Sequence, residues 1–432
     1  MGLEKFESVA KSEKRLLAVV DRSFTLSTLW THSRILRAMN RTIEILFLAL
    51  SVIAFLSAIW IVIPAPATII WLFAVAASEW SLWLAMLALT GITGNIFIMI
   101  WGQGGKLSAA SIILGTVAII ISLYPVASTV EVARENGVDL SFSRYFASVG
   151  NVFAAKEIPK AETYKFANIG DEEMSLDVYL PATASENSGA SVVVVHGGSW
   201  NGGVRSDFPQ WNWRLAEAGF TVFDIDYRLA PQPNYLTATG DVKCAIGWIG
   251  KNAERFNIDS DRIALLGRSA GAHLALLTAY SSGDDRLPSS CSEINLAVKI
   301  RAVVSLYAPI DLLWAYDNPA NSRVIDGPQT LSNFLGGSPH DSNDLRERYV
   351  LASPTSHVNR GTPPTLIIHG GKDQLVRREN LQFLDQKLSA FNISHKTLLF
   401  PYAQHGFDYN INGWGSQVTE RVMLEFLSNQ LK

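Results

Sequence analysis

The chain has 432 residues, with 36 Lys and Arg against 39 Asp and Glu for a formal charge of -3, and 48% of its residues are hydrophobic. That length accommodates one membrane module and one catalytic domain of roughly 270 residues. The balanced charge, with no basic stripe, excludes a nucleic-acid partner. No Cys/His spacing of the zinc type is present, so no metal and no cofactor is expected.

In chain order, residues 1–42 contain Arg34, Arg37 and Arg41 and are expected to form a cytoplasmic N-terminal segment. From 45 to 130 only Glu79 and Lys106 are charged, too few for a water-facing surface. A helix needs about 20 apolar residues to cross the hydrocarbon core. Stretches 45–63, 82–101 and 107–124 meet that length and define an all-α transmembrane module over 43–125. Residues 67–78 are too short for a separate crossing and are set off by Pro64 and Pro66. They are expected to be interfacial or re-entrant, with a span over 68–90 as the alternative. Glu79 then fits an interfacial loop, and an apolar run starting this late does not fit a cleavable signal peptide. Gly102 to Lys106 lacks the full spacing of a phosphate loop.

Basic residues mark the cytoplasmic ends of spans. Those before the first span, with Lys106 in the second short loop, imply three crossings from a cytoplasmic N-terminus. The rest of the chain would then lie on the extracytoplasmic side of a plasma membrane, in contact with membrane lipid; an even number of spans would reverse this. In the linker, 126–162, Val130, Val132, Val138 and Leu140 are interleaved with charges and followed by Phe142, Tyr145, Phe146 and Phe153. Such a segment either lies on the bilayer or packs against the C-terminal domain.

From 163 to 432 apolar runs at 175–180, 191–195, 221–225, 262–266, 301–306, 364–368 and 396–400 alternate with helical stretches, as parallel strands buried on both faces do. Val418, Val422, Met423, Phe426 and Leu427 have helical spacing and close the domain. The polar stretch 312–350 is expected to be a cap that selects substrate. Cys244 falls in a helix and Cys291 in a loop at the bottom of the sheet. They need not be bonded, and say little about redox compartment.

Gly267-Arg268-Ser269-Ala270-Gly271 lies between the strand Ile263–Leu266 and a helix-forming stretch, the setting of a nucleophile elbow. The serine needs a histidine to take its proton and an acid to hold that histidine, in the chain order Ser, acid, His. His405 follows the run 395–400 at the end of the sheet where the serine sits, whereas His395 enters that run from the other end. Asp373 emerges after the strand Thr365–Ile368; Asp311 is the second choice of acid and Asp408 the third. His196-Gly197-Gly198-Ser199-Trp200 follows the strand 191–195. The N–H groups of Gly197 and Gly198, with that of Ala270, are expected to form an oxyanion hole. Trp200 either lines a substrate pocket or covers the sheet. Asp226-Tyr227-Arg228 and His273 are expected to be structural.

These motifs, with Asp226–Pro231, Ser269–Leu274, Gly371-Lys372-Asp373 and His405-Gly406-Phe407, resemble the hormone-sensitive-lipase-like and feruloyl-esterase-like (BD-FAE-like) branch of the α/β-hydrolases from about residue 165 onward. Ser199 stands where lipase-like members carry a third glycine, and Trp200 is more typical of feruloyl-esterase-like and formamidase-like relatives. The resemblance implies an α/β-hydrolase fold, a mostly parallel eight-stranded sheet flanked by helices. It also implies a serine carboxylic ester hydrolase acting on a small or lipid-like ester through an acyl-enzyme. Arylformamidase-type amide cleavage and a prenylcysteine methylesterase-like role are alternatives within enzymes. A non-catalytic hydrolase-fold interaction module is the alternative outside them.

Overall fold

A computed structural model describes residues 34, 37–101, 104–153, 161–170, 172–183, 185–291 and 298–432. Most of the expected N-terminal segment and Gly102-Gln103 lie outside the described residues. The chain divides into two units, one of residues up to Ile59 with Leu82–Ser122, the other of Trp60–Ser81 with Leu123–Lys432.

The helices of the N-terminal third are α1 (Arg37–Ile61), α2 (Thr68–Glu79), α3 (Ser81–Ile100) and α4 (Lys106–Glu135). By length and composition α1, α3 and α4 are able to cross a membrane, and α2 is too short. In the first unit a buried polar chain ties the three long helices together. Glu44 accepts from the Ser108 hydroxyl at 2.7 Å, the Ser108 oxygen lies 3.1 Å from the Asn95 side-chain oxygen, Asn95 donates to Ser111 at 2.8 Å, and Ser111 shares a 2.9 Å bond with Ser51. Small and hydroxylated residues let apolar helices approach closely where hydrophobic burial supplies little drive.

The second unit is built on an eight-stranded sheet. Its strands are β1 (Glu162–Ile169), β2 (Glu172–Tyr179), β3 (Ser191–Val195), β4 (Thr221–Ile225), β5 (Ile263–Arg268), β6 (Ile300–Leu306), β7 (Thr365–Gly370) and β8 (His395–Phe400). Their order is β1-β2-β4-β3-β5-β6-β7-β8. Only β2 runs against the other seven strands, antiparallel to both β1 and β4, with Leu176 opposite Ile225 at the junction to β4. Strands β3, β4 and β5 are buried at every position, so they show as continuous apolar runs. The edge strand β1 alternates exposed and half-buried positions around the single buried Phe166, and it gives no apolar run to recognise in the sequence.

The other helices of this unit are α5 (Phe142–Phe153), α6 (Pro209–Glu217), α7 (Tyr235–Lys251), α8 (Ala270–Tyr280), α9 (Leu312–Asp317), α10 (Gly327–Leu335), α11 (Asn343–Leu351), α12 (Glu379–Ala390) and α13 (Trp414–Gln430). Helices α6, α7, α8, α12 and α13 pack on the strands, while α9 to α11 form the 312–350 region. Two of the linker aromatics meet α13: Tyr145 of α5 stacks on Trp414, ring centroids 4.2 Å apart, and Phe142 packs edge-on against the same ring at 5.0 Å, while Arg144 bonds Asn412 at 2.9 Å and pairs with Glu420. Cys244 and Cys291, which by their expected places in the fold needed no bond, form a disulfide. The error lay in placing Cys291. The loop after α8 returns to the start of α7, where the Ser290 amide donates to Gly240 at 3.0 Å, and this carries its neighbour to Cys244.

Candidate active site

Strand β5 ends at Arg268, helix α8 starts at Ala270, and Ser269 between them has φ 53° and ψ -121°. A non-glycine residue is strained there and persists only where its surroundings hold it. Two bonds do so: the Ser269 N–H donates to Leu306 at 2.9 Å and its carbonyl accepts from the His273 N–H at 3.0 Å. The flanking glycines are required by space. A Cβ on Gly267 would stand 2.5 Å from the Ala272 Cα, and one on Gly271 would stand 2.7 Å from the His196 carbonyl carbon.

The loops after β7 and β8 bring the other two residues to this turn. His405 Nε2 lies 2.9 Å from the Ser269 Oγ, and His405 Nδ1 lies 2.7 Å from Asp373 Oδ2. Asp373 has a fully buried carboxylate whose other oxygen accepts the N–H groups of Leu375 at 2.8 Å and Val376 at 2.9 Å. Burial alone would raise this carboxyl. The charge and hydrogen bond of His405, with smaller contributions from His369 and the Val376 N–H, outweigh it and hold the group below its ordinary value. An ionised Asp373 keeps the proton of His405 on Nδ1 and leaves Nε2 free to accept from the serine. The other acid candidates are committed elsewhere. Asp311 caps α9 by accepting from the Trp314 N–H, and Asp408 pairs with Arg268.

The loop after β3 lies against the serine: a Cβ on Gly197 would be 3.4 Å from that of Ser269. Gly198 has φ 114°, open to glycine and rarely to other residues. Ala270, the first residue of α8, has an N–H without an acceptor in its own helix. Gly197 and Ala270 thus both adjoin Ser269. Tyr227 braces this loop, its hydroxyl donating to the His196 carbonyl at 3.2 Å while its ring stacks on His196. Arg228 is bound to Asp241 at 2.7 Å.

A cavity of about 70 Å³ opens beside Ser269, bounded by Trp200, Trp314, Pro319, Ile325, Leu331 and Leu375 among others. Trp200 was expected either to line a substrate pocket or to cover the sheet. It lines this cavity and also stacks on Phe334 of α10 at 4.3 Å. Its indole N–H donates to His273 Nδ1 at 3.2 Å, and His273 Nε2 bonds the Ala352 carbonyl at 2.7 Å. Complete burial lowers the His273 imidazole to about 4, so it stays neutral in this structural role. Among the described residues no cluster of three or more His, Cys, Asp or Glu side chains is arranged to hold a metal ion.

Four residues around the site were not singled out in the sequence: Arg268, Tyr307, His369 and Gln374. The Tyr307 ring packs 4.4 Å from that of His405 and its hydroxyl donates to Asp408 at 2.6 Å. His369 Nε2 lies 3.0 Å from the Val376 carbonyl and 3.4 Å from Asp373 Oδ2. The available signal was position, since Arg268, Tyr307 and His369 all stand at or just after the C-terminal ends of parallel strands, where open α/β sheets place their ligand sites.

Residues 176–388 match the BD-FAE family. Esterase LipC of Mycobacterium tuberculosis is 30% identical over 264 residues, covering 60% of this chain and 62% of LipC. Esterase LipQ of the same organism is 30% identical over 275 residues, covering 61% of this chain and 60% of LipQ. The chain thus spans about three fifths of the length of these curated relatives. Among solved structures, a butyrate-bound thermophilic esterase from the Planctomycetes species Thermogutta terrifontis superposes with a TM-score of 0.51 at 24% identity, covering 63% of this chain and 95% of that one. The second unit has an α/β-hydrolase fold. Its Ser269, Asp373 and His405 occupy the elbow, the loop after β7 and the loop after β8 of that fold.

Proposed function

We propose that this chain is a membrane-anchored serine carboxylic ester hydrolase that works through an acyl-enzyme. The observation that carries the reading is the unbroken relay from the Ser269 Oγ to His405 Nε2 at 2.9 Å and from His405 Nδ1 to Asp373 at 2.7 Å. Ser269 attacks the acyl carbon while His405 takes its proton. The N–H groups of Gly197, Gly198 and Ala270 hold the oxyanion of the tetrahedral intermediate. As the ester C–O bond breaks, His405 returns the proton to the departing alcohol. Water, deprotonated by His405, then releases the acid and restores Ser269. The esterase relatives support an ester substrate.

The cavity is small beside the roughly 300–1,000 Å³ of pockets that hold drug-sized ligands. Short acyl groups are therefore the expected substrates. Three apolar helices preceding the fold support anchoring. The Cys244–Cys291 disulfide supports an extracytoplasmic position, because such bonds persist in oxidising compartments.

The test compares the native chain with Ser269→Ala on p-nitrophenyl acetate, butyrate and longer esters. A fluorophosphonate probe is applied to intact cells in permeant and impermeant forms. Turnover of the short esters and probe labelling, both lost in Ser269→Ala, are expected; full turnover by that variant refutes the reading. Labelling by the permeant form alone would place the site on the cytoplasmic side.

A further inference from the structure

Residues 62–80 lie in sequence between the first two candidate spans, yet they group with the α/β-hydrolase unit rather than with the spans. The contacts that bind them there run to the loops carrying Asp373 and His405. The Ala65 N–H donates to the Gln374 side-chain oxygen at 2.7 Å. Asn321 donates to the same oxygen at 2.8 Å and to the Ala65 carbonyl at 2.7 Å. The Gln374 side-chain nitrogen then donates to the Gln404 side-chain oxygen at 3.0 Å. Gln374 follows Asp373 by one residue and Gln404 precedes His405 by one. Ala65, Gln374 and Gln404 are each less than 10% exposed. Further along, the Thr68 hydroxyl donates to the Val324 carbonyl at 2.6 Å, next to Ile325 in the cavity wall. At the far end of α2, Glu79 fits so tightly on the turn before α13 that a Cβ on Gly413 would collide with its carboxylate.

We infer that the stretch from Pro64 to Glu79 is a working part of the active site, and that Gln374 is a positioning residue through which it holds the acid and base loops in register. Past the strand ends the two loops are joined by the backbone bond from the Lys372 N–H to the Ala403 carbonyl at 2.9 Å, and the Gln374–Gln404 bridge adds a side-chain tie between the neighbours of Asp373 and His405. A buried carboxamide with both its oxygen and its nitrogen engaged has one orientation available, so this tie sets the spacing of the two residues. The loop between the spans supplies the backbone N–H that selects it. A displacement of about 1 Å at such a relay is enough to cost about a hundredfold in rate. Movement of the anchored segment would therefore reach the chemistry through one side chain.

This inference rests on the esterase reading, and the experiment separates the two. Full-length native protein, Gln374→Met, Gln374→Glu and Asn321→Ala are assayed on p-nitrophenyl butyrate, and their unfolding temperatures are measured in the same detergent. Gln374→Met keeps the volume and removes the bridge. It is expected to lose at least tenfold in kcat with KM within about twofold of native and a similar unfolding temperature. Gln374→Glu keeps both accepted bonds but puts an oxygen where the N–H faced Gln404, and is expected to lose kcat as well. Asn321→Ala, a change at a half-buried position that leaves the fold intact, is expected to lower kcat about threefold. A folded Gln374→Met with native kcat overturns the inference. If that variant does not fold, native kcat in Asn321→Ala overturns it instead. A native protein that turns over no ester overturns the esterase reading, and this one with it.

Discussion

Arg268 and Asp408 form a buried ion pair, Nε to Oδ2 at 2.6 Å, that ties the residue before Ser269 to the loop three residues past His405. The Tyr307 hydroxyl satisfies the second Asp408 oxygen, and the guanidinium stands over the Phe208 ring at 4.3 Å. The pair joins the elbow to the histidine loop from behind the reacting groups. Removing one member leaves a charge without compensation, which costs about 3–5 kcal/mol in buried pairs. Asp408→Ala is therefore expected to lose about that much stability in urea denaturation. Asp408→Asn, whose oxygen can still accept from Arg268 while its amide donates to the Tyr307 oxygen, should lose less.

Gly271→Ala should fail more completely than an ordinary glycine substitution. The added Cβ would meet the backbone of Val195 and His196, at the end of β3, which has no freedom to move aside. Soluble yield and fluorophosphonate labelling are both expected to drop below a tenth of native. A correctly folded, labelled variant would show that the elbow has slack absent from this structure.

Asp373→Asn keeps the shape of the buried acid and removes its charge. Its amide would favour the wrong imidazole tautomer, and in serine triads this change lowers turnover by roughly 10⁴-fold. A fall of that order in kcat for p-nitrophenyl butyrate is expected, with little change in KM.

Asp224 offers a pH signature away from the triad. Burial raises its carboxyl from 3.8 to about 7, against the opposing effects of the Ser206 N–H, Asn212 and Arg268. Between those two values the folded chain keeps a proton that the unfolded chain has lost. The contribution of this group to stability is thus full below about pH 4 and is lost as pH rises through 7. Asp224→Asn is uncharged throughout, so its stability relative to native should climb between pH 4 and 7, by on the order of 4 kcal/mol. Unfolding curves for both proteins at pH 4.5 and 7.5 check the sign.

The Cys244–Cys291 bond closes a stretch of 47 residues. On loop-entropy grounds such a cross-link stabilises by about 4 kcal/mol. Cys291→Ser should lower the denaturation midpoint accordingly. Native protein should lose the same stability under dithiothreitol and shift on a non-reducing gel.

The parallel sheet was legible because β3 to β7 are almost wholly buried and show as apolar runs. Ser269, Asp373 and His405 were legible for a related reason. Each comes directly after such a run, so knowing where the strands end is enough to place all three at one edge. Strand β1 escaped because a half-exposed edge has no run. Helix α2 was recognised as apolar but not assigned to a neighbour. It buries Ala74, Ala77, Ser78 and Glu79 while leaving Ile69, Leu72 and Phe73 exposed. Composition does not distinguish a face that meets protein from one that meets lipid.

The order of amino acids alone determined the apolar stretches long enough to cross a membrane, the alternation of strand and helix, the strained serine turn and the chain order of Ser269, Asp373 and His405. All of these are local, set by hydrophobic period, by glycine at a tight turn and by the residues just past the end of a strand. Only the tertiary structure decided that Asp408 answers Arg268, that Cys291 meets Cys244, and that Ala65 reaches Gln374 across more than 300 residues. Those pairings depend on which polar groups are left facing one another once the sheet has closed, and a buried donor or acceptor takes its partner from whatever segment the fold brings near.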